Sequence, residues 1–150
     1  MSDAKHTLLI SIRPRYADMI FSGRKSIELR KVRSQVGAGD RVLVYVSSPV
    51  KALVGAFVVA SVVESSPATI WQRFGGLSGL KPEEFFGYFS ERRVGFGLVI
   101  ARAWRFRRPL TLAKLRQQTA GFHPPQVHQY VPPHVVQAYD PSLAEEPAQA

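Results

Sequence analysis

Apolar residues recur along this chain in two rhythms, and the switches between them divide it into elements. Residues 7–13 alternate, with Leu8, Ile10 and Ile12 on one side and Leu9, Ser11 and Arg13 on the other, as a strand requires. Pro14 suits a first helical turn and opens a short helix over 15–21, where Tyr16 and Ile20 share a face. Ser22-Gly23 closes it, glycine being the natural residue past a helix end. A second strand follows over 26–31. Turn chemistry at Val36-Gly37-Ala38-Gly39-Asp40 leads to a strand over 41–47 with Val42, Val44 and Val46 on one face, broken by Ser48-Pro49.

Residues 51–64 form a long β-branched run whose Gly55 predicts a bulge or bend. Ser66 and Pro67 cap and start a helix through Phe74; Lys81-Pro82-Glu83-Glu84 starts another, with acids in its first turn. A strand with aromatic insertions is expected over 94–107, then Pro109, a helix over 111–118, an irregular stretch at 121–125 and a short strand over 127–131. Five or six strands with short interleaved helices and mostly local connections predict an α+β domain, a small mixed or antiparallel barrel. Expected boundaries are a flexible N-terminus over 1–6, one domain over 7–133, and a disordered acidic tail over 134–150.

Charge adds a partner class. The chain has 20 basic and 11 acidic residues, net +9. From His134 onward there are three acids and no Lys or Arg, so residues 1–133 carry 20 basic against 8 acidic side chains, +12. Such a field attracts polyanions, nucleic acid foremost. No stretch approaches the roughly 20 apolar residues of a membrane span. Residues 1–6 lack the apolar segment of a secretory leader, and cytoplasmic residence is expected. Cysteine is absent, which excludes disulfides and thiolate chemistry. His6, His123, His128 and His134 show no metal spacing, and no Gly-rich phosphate loop follows a strand, so neither metal nor cofactor is expected.

The densest chemistry lies in Gly23-Arg24-Lys25-Ser26-Ile27-Glu28-Leu29-Arg30. Strand parity puts Ser26, Glu28 and Arg30 on one face and Ile27 and Leu29 on the other. Lys25, three positions before Glu28, can meet it only from the turn that Gly23 permits. Glu28 held by Lys and Arg reads either as a structural latch or as a binding group, with Lys25 and Arg30 meeting a phosphate and Glu28 accepting from a base amino group. Arg13, Arg24 and Lys31 extend the basic patch, while Ser47 and Ser48 form a polar lip or a simple turn before proline. Tyr45, Phe96 and Tyr130 are candidate base-stacking rings, or core. Arg102, Arg105, Arg107 and Arg108, mixed with Trp104 and Phe106, form a second basic patch or a solvated strand end.

The eight residues match G-x-K-x-x-E-x-R, the signature of the ASCH superfamily. Ser11-Ile12-Arg13-Pro14, Gly39-Asp40-Arg41-Val42-Leu43-Val44-Tyr45, Ser47-Ser48-Pro49-Val50-Lys51, Glu84-Phe85-Phe86, the strand over 94–100 and Pro124-Pro125-Gln126 also resemble that family in order, over residues 7–133. The bacterial and archaeal members described as predicted transcriptional regulators look most similar. The resemblance implies a PUA-like β-barrel and an RNA-associated role, RNA before DNA. Some members are enzymes: one branch hydrolyses acetylated cytidine, another is a ribonuclease. In the amidohydrolase branch the motif lysine is catalytic and a threonine stands where this chain has Glu28; a carboxylate cannot serve a hydroxyl's role there. The chain is thus read as a nucleic-acid binder. The alternative is an RNA-directed enzyme with Lys25 as general base, Glu28 its charge partner and Ser26 nearby; a small-ligand transcriptional sensor is a third reading, though no helix-turn-helix pattern is present.

Overall fold

The structure is a computed structural model that describes residues 7–132 and Val135. The expected flexible segment 1–6 and, apart from Val135, the tail over 134–150 lie outside the described residues. The elements run β1 (Thr7–Ile12), α1 (Pro14–Phe21), β2 (Ile27–Arg30), β3 (Arg41–Val46), β4 (Ala52–Ser65), α2 (Pro67–Phe74), a 3₁₀ turn (Gly75–Leu77), α3 (Pro82–Tyr88), β5 (Gly95–Thr111), α4 (Leu112–Gln118) and β6 (Gln129–Tyr130). The six strands form one sheet in the order β2-β5-β4-β3-β1-β6, curled into a half-barrel. β1 and β3 pair in parallel and every other pair is antiparallel, so the expected mixed α+β barrel is the fold observed.

Each layer buries a separate apolar set. Inside the curl, Leu8, Ile10, Ile12, Val42, Val44 and Val46 meet Ala17 and Ile20 of α1. On the outer face, Leu9, Leu43, Tyr45, Leu53 and Phe106 are covered by Leu115 of α4 and by Phe122. β3 is therefore buried on both sides, as a central strand with apolar residues at nearly every position should be. The third set joins Ile27 and Leu29 of β2 to Ile70 of α2 and to Phe85 and Phe89 of α3. This confirms the apolar parity of the motif and fixes α3 over β2.

β4 bends where Gly55 predicts it, with a register shift between Leu53 and Gly55. The reason is packing: a Cβ on Gly55 would lie 2.4 Å from the Trp104 carbonyl oxygen and 2.6 Å from the Phe21 ring. β5 is longer than expected. Pro109 does not end it, because a bulge removes residues 106–109 from the ladder before pairing resumes at Leu110↔Leu53. Thr111 then caps α4 by accepting from the Lys114 N–H. Among the described residues, no helix is long and apolar enough to cross a membrane.

Candidate functional site

The curl leaves a seam between β1 and β2, and a cavity of about 400 Å³ opens there. It is lined by Ser11, Ile12 and Arg13 from β1 and its exit, Tyr16 of α1, Lys25, Glu28, Leu29 and Arg30 of the motif, and Leu80, Glu84 and Tyr88 around α3. β6 pairs only with Leu8 and Leu9, so the later half of β1 faces the seam uncovered. Two contacts stitch the seam's far side. Ser11 Oγ donates to the Pro125 carbonyl at 2.8 Å, and the Arg30 guanidinium donates to the Val127 carbonyl.

Lys25 reaches the cavity from a turn, as parity requires. Gly23 takes φ +83°, and the Arg24 and Lys25 N–H groups both donate to the Met19 carbonyl. The Lys25 side chain is 4% exposed, and its Nζ donates to the Ser78 carbonyl at 2.8 Å. Ser78, fully buried, is tied in turn: its Oγ donates to the Gly75 carbonyl and accepts from the Leu80 N–H. The Lys25 ammonium also lies 5.6 Å from the centre of the Tyr16 ring. Burial lowers the Lys25 pKa below its ordinary 10.5, while Glu28 and Glu84 push it back up. The lowering thus comes from desolvation.

Glu28 is 7% exposed and accepts from Arg30 at 3.2 Å, so the strand's polar face forms an ion pair. Glu84 holds three partners: the Lys81 N–H at 3.0 Å, Arg15 at 3.0 Å and the Tyr16 hydroxyl at 3.4 Å. Its pKa is held down, first by the Lys81 N–H and also by Arg15. Tyr88 donates to the Leu29 carbonyl at 3.1 Å, and burial raises its pKa. The Arg13 guanidinium is exposed on the rim and carries no ion pair or side-chain hydrogen bond within the described residues.

Of the residues singled out from sequence, Arg13, Lys25, Glu28 and Arg30 meet in the cleft. The others do not line it. Arg24 is exposed and donates to Ser22. Ser26 precedes β2, its N–H spent on the Leu77 carbonyl and its carbonyl on the Ile100 N–H. Lys31 stands outside, over the Tyr88 ring at 4.7 Å. Ser47 and Ser48 form the turn after β3, where the Ser47 N–H donates to the Ile12 carbonyl. Tyr45 is 2% exposed and packs against Phe122, which removes it from the stacking set: both faces of its central strand are core. Phe96 is half-buried, with the Arg33 guanidinium 5.8 Å from its centre. Tyr130 is exposed, but it pairs with Leu8 near the start of β1, away from Ser11–Arg13, and its hydroxyl accepts from the Gln35 N–H. Sequence reasoning missed Tyr16, Tyr88 and Glu84 as site residues and Ser78 as the anchor of Lys25. The signal available was Tyr16 preceding the motif on the helix face of Ile20; nothing local marks Ser78. Among the described residues no three His, Cys, Asp or Glu side chains gather as a metal site requires.

A curled six-strand half-barrel with short helices packed against it, and a charged cleft at its seam, define a PUA-like protein of the ASCH type. The ASCH domain model matches residues 10–116, and the chain belongs to the ASCH domain family. It is 30% identical over 120 residues to the ASCH domain-containing ribonuclease of Zymomonas mobilis subsp. mobilis, with 79% of each chain covered. The crystal structure of ASCH from Zymomonas mobilis superposes with TM-score 0.83 at 26% identity, covering 88% of this chain and 92% of that one. The N-terminal domain of McrB from Thermococcus gammatolerans, bound to m5C DNA, shares the fold alone: 13% identity, TM-score 0.58, 93% and 98% covered.

Proposed function

We propose that this chain binds RNA, and that one nucleotide enters the seam between β1 and β2. The observation that carries the reading is the cleft's composition: three cations (Arg13, Lys25, Arg30) and two phenol rings (Tyr16, Tyr88) around the nearly buried carboxylate of Glu28. Each group has a part. The Arg13 guanidinium, without a partner among the described residues, meets a phosphate at the rim. Tyr16 and Tyr88 offer ring surface to a base. Glu28, keeping one carboxylate oxygen free of Arg30, accepts from an exocyclic amino group. Lys25, committed to the Ser78 carbonyl, supplies positive potential from below rather than a direct bond to phosphate. Family membership, the net charge of +9 and the relative named a ribonuclease support RNA as the polymer.

A second reading, RNA cleavage, is favoured by one observation beyond that relative's name. Burial eases proton loss from Lys25, the direction a general base needs. Fluorescence anisotropy with short single-stranded RNA tests the first reading. Arg13→Ala and Glu28→Gln are each expected to weaken binding about 5- to 10-fold, the loss of about 1–1.4 kcal/mol. Unchanged affinity in both variants sinks the cleft as the binding site. Incubation of labelled RNA with wild type and Lys25→Ala separates the second reading: products from the wild type alone support cleavage, and equal traces leave a binder.

A further inference from the structure

The rim arginine begins a row that the cleft does not use. The register aligns Ile12 with Val46, Val46 with Ala52 and Ala52 with Thr111, so the ends of β1, β3, β4 and β5 lie side by side. Just beyond this line stand Arg13 after β1, Ser47 after β3 and Lys51 before β4. On β5 the bulge lies next to it: residues 106–109 face the single residue Val54, and the extra length carries Arg107 and Arg108. Arg13, Lys51, Arg107 and Arg108 are exposed, and none has an ion pair or side-chain hydrogen bond within the described residues. Several cations elsewhere are engaged, Arg15 with Glu84, Arg33 with Glu64 and Arg105 with Asp18, while Arg92, Arg93 and Lys114 are exposed and have no such partner among the described residues but do not lie along this line.

A bulge this wide, the largest of the three irregularities between β4 and β5, gives up ladder bonds. No intramolecular partner among the described residues offsets that cost. Solvation alone does not require the charges to share one edge. Three strand spacings of about 4.8 Å across the sheet and a two-residue offset of about 7 Å along it put the bulge roughly 16 Å from the cleft rim, a run that several consecutive phosphates can span. We infer that this edge is a phosphate track, over which the backbone of single-stranded RNA passes from Arg13, across the Ser47–Lys51 turn, to Arg107 and Arg108. The inference rests on the cleft reading for the track's starting point only. A cationic edge of this kind recognises backbone charge and not base sequence, so it adds length-dependent and salt-dependent affinity to whatever the cleft selects.

The test compares the full chain with Arg107→Ala/Arg108→Ala and with Arg92→Ala/Arg93→Ala, an equal charge loss at the α3–β5 turn, the opposite end of β5. The probes are a trinucleotide and an oligomer of about 12 nucleotides, within the site sizes of single-strand binders. The bulge variant is expected to bind the oligomer about 10-fold more weakly. Its slope of log affinity against log salt should fall by about 1.4, roughly 0.7 for each phosphate that the variant no longer neutralises. Trinucleotide affinity should stay unchanged, as should both affinities of the α3–β5 variant. Equal weakening by the two variants, or none by the bulge variant, overturns the track while leaving trinucleotide binding to speak for the cleft. Oligomer binding that depends on the bulge without any trinucleotide binding keeps the track and rejects the cleft. No binding of either probe by the wild type rejects both.

Discussion

Lys25→Met removes the one buried ammonium of the cleft while keeping a long, flexible side chain to fill its channel. Two effects oppose each other at neutral pH. The Ser78 carbonyl, on a fully buried residue, loses its donor at 2.8 Å, which costs about 1–3 kcal/mol. Relief of the desolvated charge returns part of this, so a net loss of about 1 kcal/mol is expected. The pH dependence is the sharper reading. Because the folded pKa is lowered, the unfolded chain still holds the Lys25 proton at pH values where the folded chain has released it. The penalty of burying the ammonium is fully present below the folded pKa. It is relieved as pH rises through that value towards 10.5. Wild-type stability relative to Lys25→Met should therefore grow with pH through that window, by about 1.4 kcal/mol for each tenfold displacement of the proton equilibrium. Urea unfolding of both proteins from neutral to alkaline pH measures the difference. A difference that is flat or shrinks with pH refutes a desolvated Lys25, and with it the general-base reading.

Three further outcomes follow from the same geometry. Arg30→Met leaves Glu28 nearly buried without its cation and should cost about 2–3 kcal/mol, at the low end for a broken buried pair because the cleft is open to water; adding Glu28→Gln should recover about 1 kcal/mol in a double-mutant cycle, and simple additivity would contradict the pair. Gly55→Ala drives a Cβ to within 2.4 Å of backbone oxygen and 2.6 Å of Phe21, so chemical denaturation should register a loss of about 1–3 kcal/mol, and a neutral result would deny the close approach of α1 to the sheet. Arg105→Ala breaks a pair whose side chains are 51% and 65% exposed, so stability should move by no more than about 1 kcal/mol, and a larger loss would mean that the pair carries structure its exposure does not suggest.

The motif could be read from sequence because its chemistry is local. Gly23, with φ +83°, turns the chain, Lys25 falls off the strand, and Glu28 pairs with Arg30 two residues on. Those relations depend only on strand parity and the freedom of glycine. The opposite wall of the cleft is not local. Glu84 and Tyr88 come from α3, and Ser78 meets Lys25 across 53 positions of sequence. Periodicity shows that α3 has an apolar face, not which strand that face covers. Tyr45 misleads for a related reason. Alternation gave β3 one core face, yet Leu43 and Tyr45 are buried as deeply as Val42 and Val44, because α4 and Phe122 close the second side. Pro109 predicts a strand end, and the bulge lets β5 pass it. The basic run at Arg107 and Arg108 could be seen in the sequence; its alignment with Arg13 and Lys51 needed the register of four strands.

The central claim is that a nucleotide occupies the seam between β1 and β2. Titration of the full chain with single-stranded RNA, followed by NMR of the aromatic rings and lysine side chains, tests it most directly. The account predicts saturable shifts of the Tyr16 and Tyr88 rings and of the Lys25 side chain, with the buried Tyr45 ring unmoved. Saturable RNA binding that leaves Tyr16, Tyr88 and Lys25 unshifted would contradict it.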